Sequence, residues 1–408
     1  MYHVGIDWAD QKHDVVIVDA HGARVGKPFT IANTLAGFEQ LHTQLARLSQ
    51  DPRVFKIGIE TQQHLLVDFL LDGDYPAWVM LPSAMKSLRQ RYRSSGARDD
   101  AFDAFVLADT LRTDTACWRA IALGSESVRE IRLLAQAHHD LVVWQVMLTN
   151  SLRSTLKAYY PAALEFFADV ACANALAFWQ AYPSFEAARQ LSHEALRAFF
   201  KKHRLRNHKI ADNIFARLEQ PQPRIAPALQ RAKQRKAQTC AALLSTLALE
   251  LEAYVLRLRE VVAQHPDGEI FLSYPGVAHI TAARLLALFG DNRERYAGVQ
   301  EVQGLAGSCP VTQQTGKDFR VTYYRRACNK FYRDTLQQLA FSSLTKAAWA
   351  KVYYDAHRAK GHHHSHALRC LANLHLRILF AMWKNRTRYD ENLFLAQKAR
   401  HALAHQKN

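Results

Sequence analysis

The chain lacks any uninterrupted apolar run of about 18 residues, the length a membrane-crossing helix needs. Its opening, MYHVGIDWAD, lacks the charged-then-apolar order of a secretory signal. Cysteine is sparse: Cys117, Cys172, Cys240, Cys309, Cys328 and Cys370 are scattered, with no CxxC pair among them. That scatter excludes a disulfide-stapled scaffold and any zinc motif legible from spacing. No internal repeat is present, and 16 glycines and 12 prolines in 408 residues exclude a collagenous chain. The expectation is a soluble, cytoplasmic protein with reduced thiols and no structural metal.

Apolar content and positive charge are plentiful. Apolar residues make up 49% of the chain, enough for real cores, and 408 residues suggest two or three domains. Lys and Arg total 53 against 37 Asp and Glu, a net charge of +16. The cations gather where acids are missing. Lys86, Arg89, Arg91, Arg93 and Arg98 precede the acid at Asp99, and Lys201, Lys202, Arg204, Arg206 and Lys209 share one short segment. Residues 220–249 and 356–389 contain no acid at all. One such run is an ordinary solvated helix face, whereas several together, some carrying aromatics such as Tyr92, Phe199 and Tyr324, are the footprint of a polyanion partner.

Hydrophobic patterning predicts strands over 2–7, 13–19, 28–32, 54–60 and 77–81. Helices are predicted over 35–48, 64–71, 83–92 and 99–112. The expected fold class is α/β plus α: a mixed sheet with flanking helices in 1–120, then a mostly helical remainder. Long helical patterns over 125–159 and 229–264 predict a coiled-coil arm, 121–265, interrupted by an aromatic-rich insert at 160–223. A third region covers 266–390 and a tail 391–408.

Four acids carry the strongest chemical signal. Asp7 ends the apolar strand GID, Glu60 ends the apolar strand IGIE, and Asp100 and Asp103 lie one turn apart in RDDAFDAFVLADTLR. Singly, each is more often a turn former or cap, and Asp99 is placed to cap that helix. Together, strand-end Asp, strand-end Glu and a helical Asp-x-x-Asp form the layout of an RNase H-like two-metal site. Two Mg²⁺ about 3.5–4 Å apart would there serve an in-line phosphoryl displacement.

Two further segments stand out. SYPGVAHITAARLLALFGD, 273–291, places a Pro-Gly turn at Gly276 between helices, as a helix-hairpin-helix does when its backbone N–H groups hold a phosphate; an ordinary helical hairpin has the same pattern. GLAGSCPVTQQTGKDFRVTYYRRACNK, 304–330, sets Ser308, Thr312, Thr315 and Thr322 beside Lys317, Arg325, Arg326 and Lys330. A hydroxyl among cations is where a phosphate-attacking nucleophile belongs; a phosphate-binding loop without a nucleophile fits equally well. Arg89, Arg91, Arg93, Gly276, Lys317, Arg325, Arg326 and Lys330 are the candidate nucleic-acid contacts. GHHHSH, 361–366, reads as a polar loop between helices facing nucleic acid, with metal binding the weaker alternative.

In this order, GIDWAD, IGIETQQ and RDDAFDAFVLADTLR, then YPGVAHITAARLLALFGD, GLAGSCPVTQQTGK, RRACNK and ALRCLANLHLRILFAMW, resemble the DEDD-type insertion-sequence transposases of the IS one-ten family, the bridge-RNA-guided recombinases. The resemblance spans 1–120 and 268–390. It implies a RuvC-like, RNase H-fold catalytic domain with Asp7, Glu60, Asp100 and Asp103 as Mg²⁺ ligands. It also implies a C-terminal transposase domain, a structured guide RNA, double-stranded donor and target DNA, and homodimers pairing into a tetramer. The family's nucleophile is a serine in a Ser-Gly pair a fixed step after a proline; counting from Pro310 puts Thr315 there, followed by Gly316. Threonine keeps the hydroxyl but adds a methyl and stiffens the rotamer. Ser308 is near in sequence but off the motif position. A hydrolytic, junction-resolvase-like endonuclease and a catalytically inactive nucleic-acid-binding relative are the alternative readings.

Overall fold

The computed structural model describes the chain except residues 62–63, 81, 93–98, 122–123, 205–207, 224, 317, 323 and 397–408. The chain forms two compact units, Met1–Leu123 and Gly124–Asn408.

In the first unit, β1 (Tyr2–Asp7), β2 (Lys12–Val18) and β3 (Phe29–Ala32) are followed by helix α1 (Leu35–Ala46), β4 (Phe55–Ile59), α2 (Leu65–Asp72), β5 (Ala77–Val79), α3 (Pro82–Tyr92), α4 (Asp100–Thr113) and β6 (Arg119–Ala120). They build one mixed sheet of order β3-β2-β1-β4-β5-β6. The β1–β2 and β2–β3 pairs are antiparallel, as short turns require, while β1–β4 and β4–β5 are parallel crossovers through helices. Val4, Ile6, Ile57 and Ile59 point to one face and are fully buried, while Gly5 and Gly58 on the opposite face lie against α4 and Trp118, so both faces of these strands are covered. The predicted strand over 77–81 stops at Val79, and the two-residue β6 pairs with it. So short a strand has no periodicity to read.

Gly5 sets how closely α4 covers the sheet. A β-carbon there would stand 1.9 Å from the Ala104 carbonyl oxygen and 2.5 Å from the Ala108 nitrogen. Only glycine facing alanines permits that approach. Asp99 caps α4, accepting from the Phe102 N–H at 2.7 Å.

The second unit begins with two long helices, α5 (Glu126–Tyr159) and, beyond α6 (Ala173–Ala181), α7 (Phe185–Arg189), α8 (His193–Lys202) and α9 (His208–Leu218), α10 (Pro227–Gln264). It continues with α11 (Gly268–Leu272), α12 (His279–Phe289), α13 (Val299–Leu305), hairpin β7 (Val311–Thr315) and β8 (Asp318–Thr322), and α14 (Lys330–Ser343), α15 (Ala348–Ala359) and α16 (His364–Asn385). The long helices join two cores. Leu152, Leu156, Ala237 and Leu244 pack with Phe166, Phe178 and Trp179 of the insert, and Ile131 and Leu258 pack with Phe271, Phe289, Leu336, Leu376 and Trp383. Between these cores Val143, Trp144, Val146 and Met147 of α5 are exposed. Among the described residues, α10 alone is long and apolar enough to cross a membrane, and it is the helix that pairs with α5.

Candidate active site

The parallel register of β1 and β4 pairs Ile6 with Ile59. The next residues, Asp7 and Glu60, therefore leave the same edge of the sheet side by side. Gly5 brings α4 over that edge, and the first turn of α4 carries Asp100 and Asp103. Asp100 is exposed, whereas Asp103 is only 8% exposed. Two strands and a helix thus set three carboxylates in a low-dielectric corner with a fourth at its rim.

The electrostatics follow from that crowding. Burial, then the charges of Asp103, Glu60 and Asp100, push the Asp7 carboxyl up to about 7, against a smaller opposing pull from Arg89. Burial also raises Glu60, with Arg89 opposing and Asp103 adding. Glu60 Oε1 is buried and has no hydrogen-bond partner. Arg89 Nη2 lies 3.7 Å from that oxygen, an ion pair too long for a hydrogen bond.

Arg89 is the main partner in the cluster. Its Nε and Nη2 each donate to one oxygen of Asp103 at 2.6 Å, a bidentate pair. Arg89 is one of the candidate nucleic-acid contacts, and its side chain here turns toward the acids at the start of α4. Arg91 pairs with Asp114 at 2.6 Å. Arg93 lies outside the described residues.

The donor set suits a hard divalent cation. It offers carboxylate oxygens only, carries more negative charge than Arg89 neutralises, and leaves the buried Glu60 Oε1 without a hydrogen bond. Asp7, Glu60, Asp100 and Asp103 are the side chains that would hold such an ion.

The second unit places the other candidates. Residues 311–322, read from sequence only as a loop, form the β7–β8 hairpin, with Thr315 opposite Asp318 at its tip. Thr315 is exposed, and Gly316 takes the turn with φ +59°. Lys317 lies outside the described residues. Ser308 is half-buried and donates to Asn373 Oδ1 at 3.0 Å. Arg325 reaches the Ala327 carbonyl at 3.2 Å, while Arg326 and Lys330 are exposed. Gly276 has φ +82°, and its carbonyl accepts from Ser342 Oγ at 3.4 Å, so this turn is anchored on α14.

Sequence reasoning missed Gly5 and the inward turn of Arg89. An isolated glycine in an apolar strand is a legible sign of close backbone approach. Nothing in the sequence distinguishes Arg89 from its neighbours Arg91 and Arg93.

A DEDD-type IS110 transposase model matches residues 4–161, and a model described as the transposase IS116/IS110/IS902 family matches residues 268–355. A Streptomyces coelicolor mini-circle protein described as a putative transposase for IS117 is 31% identical over 395 residues, 95% of each chain. An uncharacterized 43.6 kDa protein of insertion element IS110, also from Streptomyces coelicolor, is 27% identical over 320 residues, 76% of each chain. An uncharacterized 44.8 kDa protein of insertion element IS116 from Streptomyces clavuligerus is 25% identical over 388 residues, 94% of each chain. A DEDD transposase domain depends on divalent metal, and the mixed sheet with its helices is compatible with an RNase H-like fold. By this identity and coverage, the chain belongs to the IS110 (IS one-ten) family of DEDD insertion-sequence transposases, enzymes that cut and rejoin DNA.

Proposed function

We propose that Asp7, Glu60, Asp100 and Asp103 hold two Mg²⁺ for strand transfer and that Thr315 Oγ is the attacking hydroxyl. The observation that carries this reading is the meeting of Asp7, Glu60 and Asp103 at one half-buried sheet edge, with Asp7 raised to about 7. When bound, Mg²⁺ supplies Lewis acidity to the phosphoryl oxygens. The protein's own residues do the rest. Asp7 gives up its proton to become a full carboxylate. Arg89 leaves Asp103, freeing its oxygens and placing a guanidinium beside the acids, where it can meet a phosphate. Thr315, exposed at a hairpin tip, can reach a phosphodiester without moving a core element. Its Oγ forms a phosphothreonine bond as a DNA hydroxyl departs, and the returning hydroxyl of the joining strand breaks that bond.

The same reading makes 1–120 an RNase H-like catalytic domain, 121–265 a coiled-coil arm and 266–390 a transposase domain with a helix-hairpin-helix-like turn at Gly276. It assigns a structured guide RNA, donor and target DNA, and dimers pairing into a tetramer. The charge pattern supports the nucleic-acid partners: α10 opens with Arg231, Lys233, Arg235 and Lys236 and no acid before Glu250.

The test is to incubate the protein and its co-purifying nucleic acid with Mg²⁺ and labelled element-junction DNA. A covalent adduct mapped to Thr315 by mass spectrometry is expected, absent from Thr315→Ala and Asp7→Asn. Cleaved DNA with no adduct would replace the hydroxyl nucleophile with water. An adduct on Ser308 would move the nucleophile to that residue.

A further inference from the structure

The turn between α15 and α16 gathers side chains that the transposition chemistry does not use. His357 comes from the last turn of α15, His362 from the connecting turn, and Cys370 from the second turn of α16. One ligand atom from each lies within 4.8 Å of the others. The Nδ1 atoms of His357 and His362 face each other at 2.9 Å, so at least one ring is a neutral acceptor. The ring of His366, one helical turn before Cys370, stacks on His362 at 4.2 Å. These four side chains are half-buried, while His363, His364 and Ser365 beside them are exposed. The fold therefore sorts the histidines, turning inward those that meet the thiol. Gly361, with φ +82°, makes the reversal, and Arg358 holds it by donating to the His362 carbonyl at 2.6 Å.

We propose that His357, His362 and Cys370 form a Zn²⁺ site, with water as its fourth ligand. Imidazole and thiolate are the ligands such an ion selects, unlike the oxygen-only acids of the first unit. Zinc bonds of about 2.0–2.3 Å set tetrahedral ligands roughly 3.3–3.8 Å apart, so the histidine pair opens slightly and the cysteine closes in. Binding forms a Zn–S bond and releases the Cys370 thiol proton to solvent. The ion clips the end of α15 to the start of α16, the helix whose Asn373 holds Ser308. The sequence carries no zinc-type spacing because the ligands come from two helices and the turn between them.

The test is Co²⁺ titration of the chelator-stripped full-length protein, followed by displacement with Zn²⁺. Expected, with Mg²⁺ in excess to occupy the acid cluster, are a thiolate-to-cobalt charge-transfer band and tetrahedral d–d bands, saturating at one ion per chain. Cys370→Ser abolishes the charge-transfer band, and His362→Asn, in a turn where folding is spared, weakens Co²⁺ binding at least about tenfold. Asp7→Asn leaves the spectrum unchanged, which separates this site from the acid cluster. No charge-transfer band in the unaltered protein, or a band that survives Cys370→Ser, would overturn the proposal. So would unchanged affinity in His362→Asn with an unchanged melting curve.

Discussion

Asp7 and Arg89 show how single residues store the tension of this site. Folding raises the Asp7 carboxyl from its ordinary value to about 7. The native state thus keeps a proton that the unfolded chain releases, and without metal the associated stability is full below about pH 4 and is lost as pH rises through 7. Asp7→Asn removes this dependence. The variant is expected to melt higher than the parent at pH 8 in chelator, with the difference vanishing near pH 4, as a pair of thermal scans would show. Arg89 acts in the opposite sense as an internal cation. Arg89→Met leaves Asp103 buried and unpaired, at an expected cost of about 2 kcal/mol, below the roughly 3–5 of a fully buried pair because Arg89 keeps some exposure. Denaturation in chelator reads that loss, and added Mg²⁺ should restore more stability to Arg89→Met than to the parent.

At the scale of elements, the site depends on one close packing, α4 against β1. The strand ends at Asp7 and Glu60 are legible because buried parallel strands read as apolar runs that stop at a charge. The helix over 99–112 is legible because Asp99 opens it and Phe102, Phe105 and Val106 form an apolar stripe. The distance between them is not, since it rests on Gly5 opposing Ala104 and Ala108, a tertiary match that no local pattern shows. Hairpin β7–β8 is illegible for another reason: Thr312, Gln313, Gln314 and Thr315 are all exposed, so no alternation of apolar and polar residues marks the strand. Gly5→Ala tests the packing directly. With backbone atoms 1.9 and 2.5 Å from the new methyl, α4 must lift away, costing about 3 kcal/mol or more and separating Asp103 from Asp7. Chemical denaturation should show the loss, and Mg²⁺-dependent DNA cleavage should fall even at temperatures where the variant remains folded.

Across the whole molecule, acids and bases divide the work. The clustered carboxylates are few and gather at one sheet edge, while the excess of 53 cations over 37 acids is carried in acid-free stretches of both units. An enzyme that acts on DNA is served by that excess, and most of its affinity should come from released counterions rather than base contacts. Within α10, Arg231, Arg235 and Lys236 are exposed or nearly so and Lys233 is half-buried, on a helix whose far end is anchored by Leu258, Val261 and Val262. Changing these four cations to Gln should therefore weaken binding without unfolding the helix. For duplex DNA the slope of log affinity against log salt should become shallower by about 0.9 for each phosphate that is no longer neutralised, with a smaller change of about 0.7 on single strands. Fluorescence anisotropy across a salt series measures both slopes. An unchanged slope with normal helicity would remove this end of α10 from the nucleic-acid surface and shift the electrostatic role to 356–389, the other long stretch without acids.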